Sequence, residues 1–343
     1  MTLRTGLAPV LAVAVLLVTM AVALGTGAVA VPVPDVLDVV LRRVGLGDRG
    51  VSLLDDQIVW QLRMPRVLGM AAVGAVLGCC GAVLQSLTRN DLADPYLLGL
   101  SGGAAVGAVT VIVLGVSVAG FAGPAAVTLA GFAGALAALG LVLLLAVGRS
   151  GSLAPTRTVL AGVAVGQACS AYTSLIVIGS GDHDAARRVL TWTLGSGAGF
   201  RWGTALLVVG VAVVATLAFS ACADHLDAFA FGESSARSLG IEVTRLRWVL
   251  LGGTALATAA AVAFAGTIGF VGLVVPHLVR TFTGPRHRLL LPMSALVGAT
   301  LLVWADTLAR SVVDGQEIPV GVVTAAVGVP FFALLLRRSG RSA

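Results

Sequence analysis

The sequence predicts an all-α integral membrane protein with about ten transmembrane helices, and three observations lead to this fold class. Of the 343 residues, 58% are hydrophobic and only 11% are charged, whereas soluble domains carry roughly 25% charged residues. Several uncharged runs reach the ~20 residues that a helix needs to cross the hydrocarbon core. The 44 glycines suit membrane helices that pack backbone against backbone. We therefore expect a single transmembrane domain over residues 1–343.

The runs without Asp, Glu or Arg place the helices along the chain. They are 5–34, 67–88, 95–148, 158–181, 202–223, 248–279, 289–305 and 318–336. The run 95–148 is too long for one helix, and GFAGP at 120–124 supplies a break. The run 248–279 would reach about 48 Å as one straight helix. It is either one tilted helix or two helices divided near Gly266 and Gly269.

The arginines decide between these alternatives. All 22 basic residues are Arg. With a cytoplasmic N-terminus and a divided 248–279, 13 Arg lie on the cytoplasmic side and nine outside, whereas an undivided run gives 8 inside and 14 outside. Cytoplasmic loops favour Arg and Lys. We therefore expect ten spans in the plasma (inner) membrane, with both termini cytoplasmic.

The first run resembles a signal peptide, because Arg4 precedes a long apolar stretch and AVA stands at 28–30. The apolar region from Leu7 to Ala30 is longer than the hydrophobic part of most signal peptides. We therefore expect an uncleaved first helix.

Two absences limit the chemistry of the chain. It contains no Lys, which excludes a Walker A loop, so ATP would have to bind to another chain. The four cysteines lie in apolar runs without zinc-ligand spacing, and they fit small buried fillers better than metal ligands. They are Cys79, Cys80, Cys169 and Cys222.

The turn QSLTRNDLADPYLLGLSGGA (85–104) joins the second and third spans on the cytoplasmic side. Asn90 and Asp91 can cap the turn, and Pro95 opens the next helix. The segment is either a plain connector or, through Asn90 and Leu92, a constriction at the cytoplasmic mouth.

The segment LDAFAFGESSARSLGIEVTRLR (226–247) is the longest polar stretch on the cytoplasmic side. Residues from Glu233 to Leu239 can form a short helix that ends at Gly240. Ala236 and Leu239 lie three residues apart and would give this helix a small apolar face. Such a helix suits a groove in a partner protein, although a solvated connector is the alternative.

Charged residues also stand at the outer ends of the spans, in RMPR (63–66), DHDAARR (182–188) and DTLAR (306–310). Arg63 and Arg66 either anchor to lipid headgroups or bind carboxylates of a docking protein. Asp306 is acidic at membrane depth, which marks a functional candidate. Its alternative is an ion pair with Arg310 one turn later.

The stretch GFVGLVVPHLVR (269–280) carries polar residues in an apolar context. A metal site would need further ligands, and only His287 lies near His277 in sequence. Pro276 is tolerated near a helix end. We expect a short, movable helix at the cytoplasmic surface, where Pro276, His277 and Arg280 hold that surface in place and Arg280 binds helix-end carbonyls or headgroups.

Several motifs together resemble the permease subunits of ABC importers for iron–siderophores, haem and vitamin B12. They follow one another in order and cover the chain from about residue 60 to its end. The motifs are RMPRVLGMAAVGAVLGCCGAVLQSLTRNDLADPYLLGLSGGA, PTRTVLAGVAVGQACSAYTSL, FGESSARSLG, GFVGLVVPHLVR, LLPMSALVGATLLVWADTLAR and EIPVGVVTAAVGVPFFALLL.

The resemblance implies ten helices per subunit and a two-fold homodimer or heterodimer, with the pathway along the dimer axis. Two ATPase subunits would bind ATP and Mg on one side, and a substrate-binding protein, as a lipoprotein or in free form, would dock on the other. Beyond membrane lipid, no cofactor, metal or nucleic acid is expected on this chain. The expected cargo is a ferric siderophore, with haem or cobalamin as the alternative.

The resemblance also assigns roles to individual residues. Coupling to the ATPase would fall on Gly232, Glu233, Ala236, Arg237, Leu239 and Gly240. Docking would fall on Arg63, Arg66 and Arg310, and the cytoplasmic gate on Asn90 and Leu92. The pathway lining would include Gly102, Gly103, Ala104 and Ala105. Asp91 departs from the family, which usually has Pro at this position.

Other kinds of membrane protein fit less well. An ion-coupled secondary transporter would need intramembrane ligands, and Asp306 and His277, the two that could serve, lie near opposite faces. A membrane enzyme would need polar groups that converge at one depth. A simple channel is compatible with the composition, but the segment 226–247 argues against it.

Overall fold

The computed structural model describes residues 2–27, 29–46, 50–147, 155–230, 232–313 and 315–339. Over these residues the regular elements are helices. The α-helices are α1 (Thr2–Gly25), α2 (Val33–Arg43), α3 (Leu53–Asp56), α4 (Met64–Thr88), α5 (Leu100–Leu114), α6 (Pro124–Ala146), α7 (Pro155–Ser180), α8 (His183–Leu194), α9 (Trp202–Ala221), α10 (Ala223–Ala230), α11 (Glu233–Ser238), α12 (Val243–Ala265), α13 (Val271–Thr283), α14 (His287–Ala309) and α15 (Val320–Ser339). A π-helical segment, Gln57–Arg63, joins α3 to α4, and a 3-10 helix, Pro95–Leu98, precedes α5.

Ten apolar helical segments form the bundle, as the sequence predicts. Within the described part of the chain, seven are long and apolar enough to cross a membrane, and one of these is the continuous stretch Leu53–Thr88. Three shorter apolar helices, Leu100–Leu114, Val271–Thr283 and Val320–Leu334, complete the ten.

The run 248–279 is divided at the predicted place. Helix α12 ends at Ala265, and Gly266 follows with a φ of 73°, which a residue without a side chain adopts at little cost. The Ser196 amide donates to the freed Ala265 carbonyl at 2.8 Å. Helix α13 then begins at Val271. The division therefore results from a glycine turn that a neighbouring loop caps.

Helix α4 lies at the centre of the bundle, where it packs against α9, α12, α13 and α14. Three glycines allow this contact. A Cβ atom at Gly74 would come within 2.2 Å of the Gly298 carbonyl oxygen, and one at Gly81 within 2.0 Å of that of Gly272. Gly78 lies equally close to Ser294. The backbones therefore touch directly, which is how membrane helices pack in the absence of a hydrophobic driving force.

The bundle has two ends that carry different polar groups. The arginine end holds Arg63, Arg66 and Arg310, together with the C-terminal end of α1 and the N-terminal end of α15. The short-helix end holds α10, α11 and the loop 89–94. Helix α1 runs toward the arginine end and α15 runs away from it. The N-terminal end of α1 and the C-terminal end of α15 therefore lie at the short-helix end.

Three amphipathic helices were not predicted. Helix α2 lies in the connection after the first span, α8 between the fifth and sixth, and α10 before the short helix α11. Each carries charged residues, such as Asp35, Arg187 and Asp224. A search for uncharged runs passes over such helices.

Candidate functional site

The three arginines predicted for docking converge at the arginine end. Arg66 binds Asp306 through one edge of its guanidinium group, with Nε at 3.0 Å from Oδ2 and Nη2 at 2.9 Å from Oδ1. Its third nitrogen, Nη1, donates to Glu317 Oε1 at 2.8 Å and Oε2 at 3.1 Å. One arginine therefore binds two carboxylates at once. Bidentate pairs of arginine and carboxylate are stronger than single hydrogen bonds between neutral groups.

Arg63 and Arg310 donate their hydrogen bonds to backbone carbonyl groups. Arg63 Nη1 donates to the Leu24 oxygen at 2.7 Å, and Nη2 donates to Val29. Arg310 donates to the oxygens of Ala23 and Thr26. The last carbonyls of a helix lack partners within the helix, and α1 has no basic residue in its own last turn. These two arginines therefore cap α1 from other segments.

Asp306 is the buried counter-ion of this cluster. Its side chain is 2% exposed, and its main partner is Arg66, 240 residues away in sequence. The alternative pair with Arg310 also exists, but it is longer, at 3.5 Å. Asp306 therefore neutralises two guanidinium groups, which explains an acidic residue at this depth.

A cavity of about 460 Å³ opens between these residues. Arg63, Arg66, Arg310 and Glu317 line it, together with the apolar side chains of Ile58 and Leu62. Glu317 is 51% exposed, whereas the side chain of Arg66 is 12% exposed. Among the described residues that line it, this partly open cavity thus has three guanidinium groups and one exposed carboxylate.

At the short-helix end, the loop 89–94 has the turn that the sequence predicts. Asn90 Oδ1 accepts the Leu92 amide at 3.0 Å, and Pro95 opens the 3-10 helix, which the Asp94 carboxylate caps. Leu92 is 42% exposed. The gate role of Asn90 and Leu92 stays a prediction.

Arg280 has different partners from those expected. It donates to Gln85 Oε1 and lies 3.2 Å from Asp91 Oδ1, so the expectation of helix-end carbonyls or headgroups is wrong for these contacts. Gln85 in turn donates to the carbonyls of Gly272 and Leu273, at 3.3 and 3.2 Å. Because Pro276 has no N–H, the Gly272 carbonyl lacks its helical partner. Gln85 replaces that partner.

His277 and His287 do not share a site. His277 packs edge-on against Phe331, with ring centroids 6.3 Å apart. His287 is 4% exposed and bonds to Asp227 on α10 and to Ser86 on α4. Within the described residues, no cluster of three or more metal-ligating side chains exists.

The short helix α11 forms where it was predicted, from Glu233 to Ser238, and Gly240 follows with a φ of 81°. One part of the prediction is wrong: Ala236 is fully buried, whereas Leu239 is 71% exposed. The two residues therefore do not form a shared apolar face, because Ala236 packs into this chain. Arg237 and Gly240 are exposed like Leu239, Gly232 is partly exposed, and the side chain of Glu233 lies outside the described residues.

Helix α10 was missed, although it attaches the short-helix end to the bundle. Asp227 accepts from both the backbone N–H and the ring of His287, and Asp224 pairs with Arg288 at 2.8 Å. The hydrogen bonds from Arg288 hold the pKa of Asp224 below its ordinary value. The two acidic residues are three positions apart, a spacing that places them on one face of a helix, and this was the signal for α10 in the sequence.

Two of the four residues predicted to line the pathway do not face open space within the chain. Gly103 packs so closely on Gly134 of α6 that a Cβ would lie 2.2 Å from its carbonyl oxygen, and Ala104 is fully buried. Their lining role is therefore wrong, because α5 uses this face to pack against α6. Gly102 and Ala105 remain partly exposed.

Residues 15–338 match the model of the FecCD transport family. The chain belongs to this family.

Individual FecCD-like relatives cover most of the chain. It is 43% identical over 289 residues to the vitamin B12 import system permease protein BtuC of Vibrio cholerae, which covers 84% of this chain and 85% of that one. It is 40% identical over 288 residues to the cobalamin import system permease protein BtuC of Halobacterium salinarum, at 84% and 75% coverage. The uncharacterized ABC transporter permease protein YvrB of Bacillus subtilis is 36% identical over 337 residues, at 95% and 93% coverage.

A solved structure gives the same result for the fold. A metal-chelate type ABC transporter in an inward-facing conformation matches with a TM-score of 0.82 and 28% identity, over 96% of this chain and 98% of that one. The FecCD chain is therefore a multi-pass permease subunit of an ABC importer in the plasma membrane, and a two-fold pair of such subunits fits this class. It is a transport subunit and not an enzyme, because ATP is hydrolysed by separate ATPase subunits.

Proposed function

We propose that this FecCD permease imports a corrinoid of the cobalamin type, delivered by a substrate-binding protein. The observation that carries the proposal is the 40–43% identity to permeases named for cobalamin and vitamin B12 in Vibrio cholerae and Halobacterium salinarum. A ferric siderophore, the cargo expected from the sequence, is the second candidate, because the metal-chelate type transporter is also similar.

The docking site for the binding protein would be the arginine end. Its cavity of about 460 Å³ has three guanidinium groups in its wall, and Arg66 already holds a carboxylate in the geometry that a partner's Glu or Asp would adopt. Since Arg63 and Arg310 also cap α1, they would supply positive charge in fixed positions. Arg66 would supply the directional contact.

The short-helix end would face the cytoplasm, with both termini on that side, and would bind the ATPase subunits. Arg237 on α11 and Leu239 in the turn after it are exposed, and they would enter the ATPase groove. Buried Ala236 would only hold the short helix in place. The exposed residues Gly102 and Ala105 would border the pathway, and Asn90 and Leu92 its cytoplasmic mouth.

The cargo is tested by transport. The permease is reconstituted in proteoliposomes with its ATPase and with candidate binding proteins, and uptake of labelled cyanocobalamin is compared with uptake of ferrichrome labelled with radioactive iron. We expect ATP-dependent uptake of cyanocobalamin. Uptake of ferrichrome alone would favour the second candidate, and uptake that persists without any ATPase would contradict both.

The two surfaces are tested by matched variants. Arg66→Lys keeps a cation beside Asp306 but loses the planar fork, so we expect binding-protein affinity to fall at least ~10-fold, while Arg187→Lys on exposed α8 leaves it unchanged. Leu239→Asp should weaken ATPase co-purification, and Arg337→Glu, exposed on α15, should not. Equal results for a variant and its control would remove that surface from the proposal.

A further inference from the structure

Arg66 is bound by two carboxylates that differ in how they are held. Asp306 lies on α14 with 2% of its side chain exposed, and it binds Nε and Nη2. Glu317 is 51% exposed and binds Nη1 alone. A buried pair cannot open without leaving a charge unpaired, whereas an exposed pair opens at little cost. Only Glu317 is therefore exchangeable.

The side chain of Glu317 can leave Arg66 without a change in the backbone that carries it. Its loop connects α14 to α15, and backbone hydrogen bonds fix the loop on both sides of Glu317. The Gln316 amide donates to Val313 at 3.3 Å, and the Ile318 amide donates to Ala309 at 2.9 Å. Rotation of one exposed side chain is then enough to free Nη1.

The freed nitrogen would face a space that a second carboxylate can enter. Both Arg66 and Glu317 line the cavity of about 460 Å³, which is large compared with the ~30 Å³ that one water occupies in the liquid. Among the described residues of the cavity wall, three guanidinium groups oppose the carboxylate of Glu317, and Asp306 pairs with Arg66 from outside that wall. Removal of Glu317 from Arg66 leaves a stronger local excess of positive charge for an acidic group to bind.

We propose that Glu317 is a built-in competitor for the acidic docking residue of the substrate-binding protein, so that docking proceeds by exchange of one carboxylate for another on Nη1 of Arg66. This inference rests on the proposed function, because it assumes that the arginine end receives the binding protein. Asp306 keeps the guanidinium plane oriented throughout the exchange. Glu317 lowers the affinity and returns to Arg66 when the partner leaves, which suits a carrier that must dissociate after each delivery.

The proposal predicts that loss of the competitor tightens docking. Glu317→Gln keeps the shape of the side chain and removes its charge. The partner is the binding protein that supports uptake in proteoliposomes. We expect the dissociation constant of the variant for this protein to fall by about threefold to tenfold, since an exposed ion pair changes a binding constant by up to about tenfold. Full-length permease in nanodiscs is measured by surface plasmon resonance, and dissociation should be slower.

The control is Asp184→Asn, which makes the same charge change on exposed α8, at the same end of the bundle but outside the cavity. It should leave the affinity unchanged. A gain equal to that of Glu317→Gln would reduce the effect to general charge and overturn the proposal. An unchanged or weaker affinity of Glu317→Gln would also overturn it, while the proposed function stands. If the wild-type permease binds no substrate-binding protein, the proposed function fails as well.

Discussion

At the arginine end, the polar groups are buried and bound to one another across distant segments, whereas at the short-helix end they link surface helices to the bundle. Arg66 and Asp306 form a buried bidentate pair, and Arg63 caps α1. By contrast, the ion pairs at the short-helix end each contain a largely exposed residue. This residue is Asp91 in the pair with Arg280 and Arg288 in the pair with Asp224. The first arrangement holds charges in one place, and the second lets elements separate. A transporter needs a fixed docking surface and a movable coupling surface.

The largest effect should come from Asp306→Asn, which removes the buried counter-ion of Arg66 and Arg310. Loss of one partner of a buried pair costs about 3–5 kcal/mol, and we expect a correspondingly lower thermal unfolding midpoint for the purified permease in detergent. Glu317→Gln is the control, because Glu317 is half exposed and its pair should contribute at most about 1 kcal/mol. Equal losses would contradict the distinction between the fixed and the exchangeable carboxylate.

The next effect concerns Gln85, a buried residue of α4 that links Arg280 and α13 to the centre of the bundle. Gln85→Leu leaves the Gly272 carbonyl without a donor, at a cost of about 1–3 kcal/mol. Pro276→Ala should rescue much of the loss, because the alanine N–H can donate to Gly272 as in an ordinary helix.

A double-mutant cycle with thermal midpoints measures this coupling. If the Gln85→Leu and Pro276→Ala effects simply add, Gln85 does not replace the donor that Pro276 lacks. A rescue would show that α13 depends on α4 for one of its own helical hydrogen bonds.

Helix α11 and the turn after it contain a buried residue, Ala236, and an exposed one, Leu239. Ala236→Leu forces a larger side chain into a closed space, which typically costs about 1–3 kcal/mol, and we expect the lower part of this range because a six-residue helix can shift. Leu239→Ala, at the exposed position, should change the free energy of unfolding by less than about 0.5 kcal/mol. Equal destabilisation by the two variants would contradict the assignment of Leu239 to a partner surface.

The sequence predicted what depends on local pattern. Uncharged runs gave the ten spans, and the arginine distribution gave the division that the glycine turn at Gly266 produces. Which side chains form ion pairs with each other could not be predicted from local pattern. Asp306 has Arg310 one turn away but takes Arg66, 240 residues distant, as its main partner. Likewise, helical spacing relates Ala236 to Leu239 but does not say which of the two the rest of the chain covers.

The smallest effect should be a pH-dependent one at the short-helix end, at the carboxylate that caps the 3-10 helix. Burial raises the pKa of Asp94 to about 6. Between its ordinary value and pH 6 the folded state holds the proton more tightly than the unfolded chain, so the charged form costs stability that grows as pH rises through this window and stays constant above it. Asp94→Asn keeps an acceptor for the Tyr96 amide and removes the charge.

We therefore expect Asp94→Asn to raise the unfolding midpoint at pH 8 by a few degrees. This corresponds to about 1 kcal/mol in the free energy of unfolding, after allowance for partial exposure. Near pH 4 the midpoint should be unchanged. Thermal unfolding at the two pH values measures the difference, with Asp184→Asn as the exposed control that should show no gain at either. A gain at pH 4 as large as at pH 8 would mean that burial of the charge is not the cause. A gain confined to pH 8 would mean that the loop 89–94 carries a buried carboxylate at a cost to the stability of the folded state.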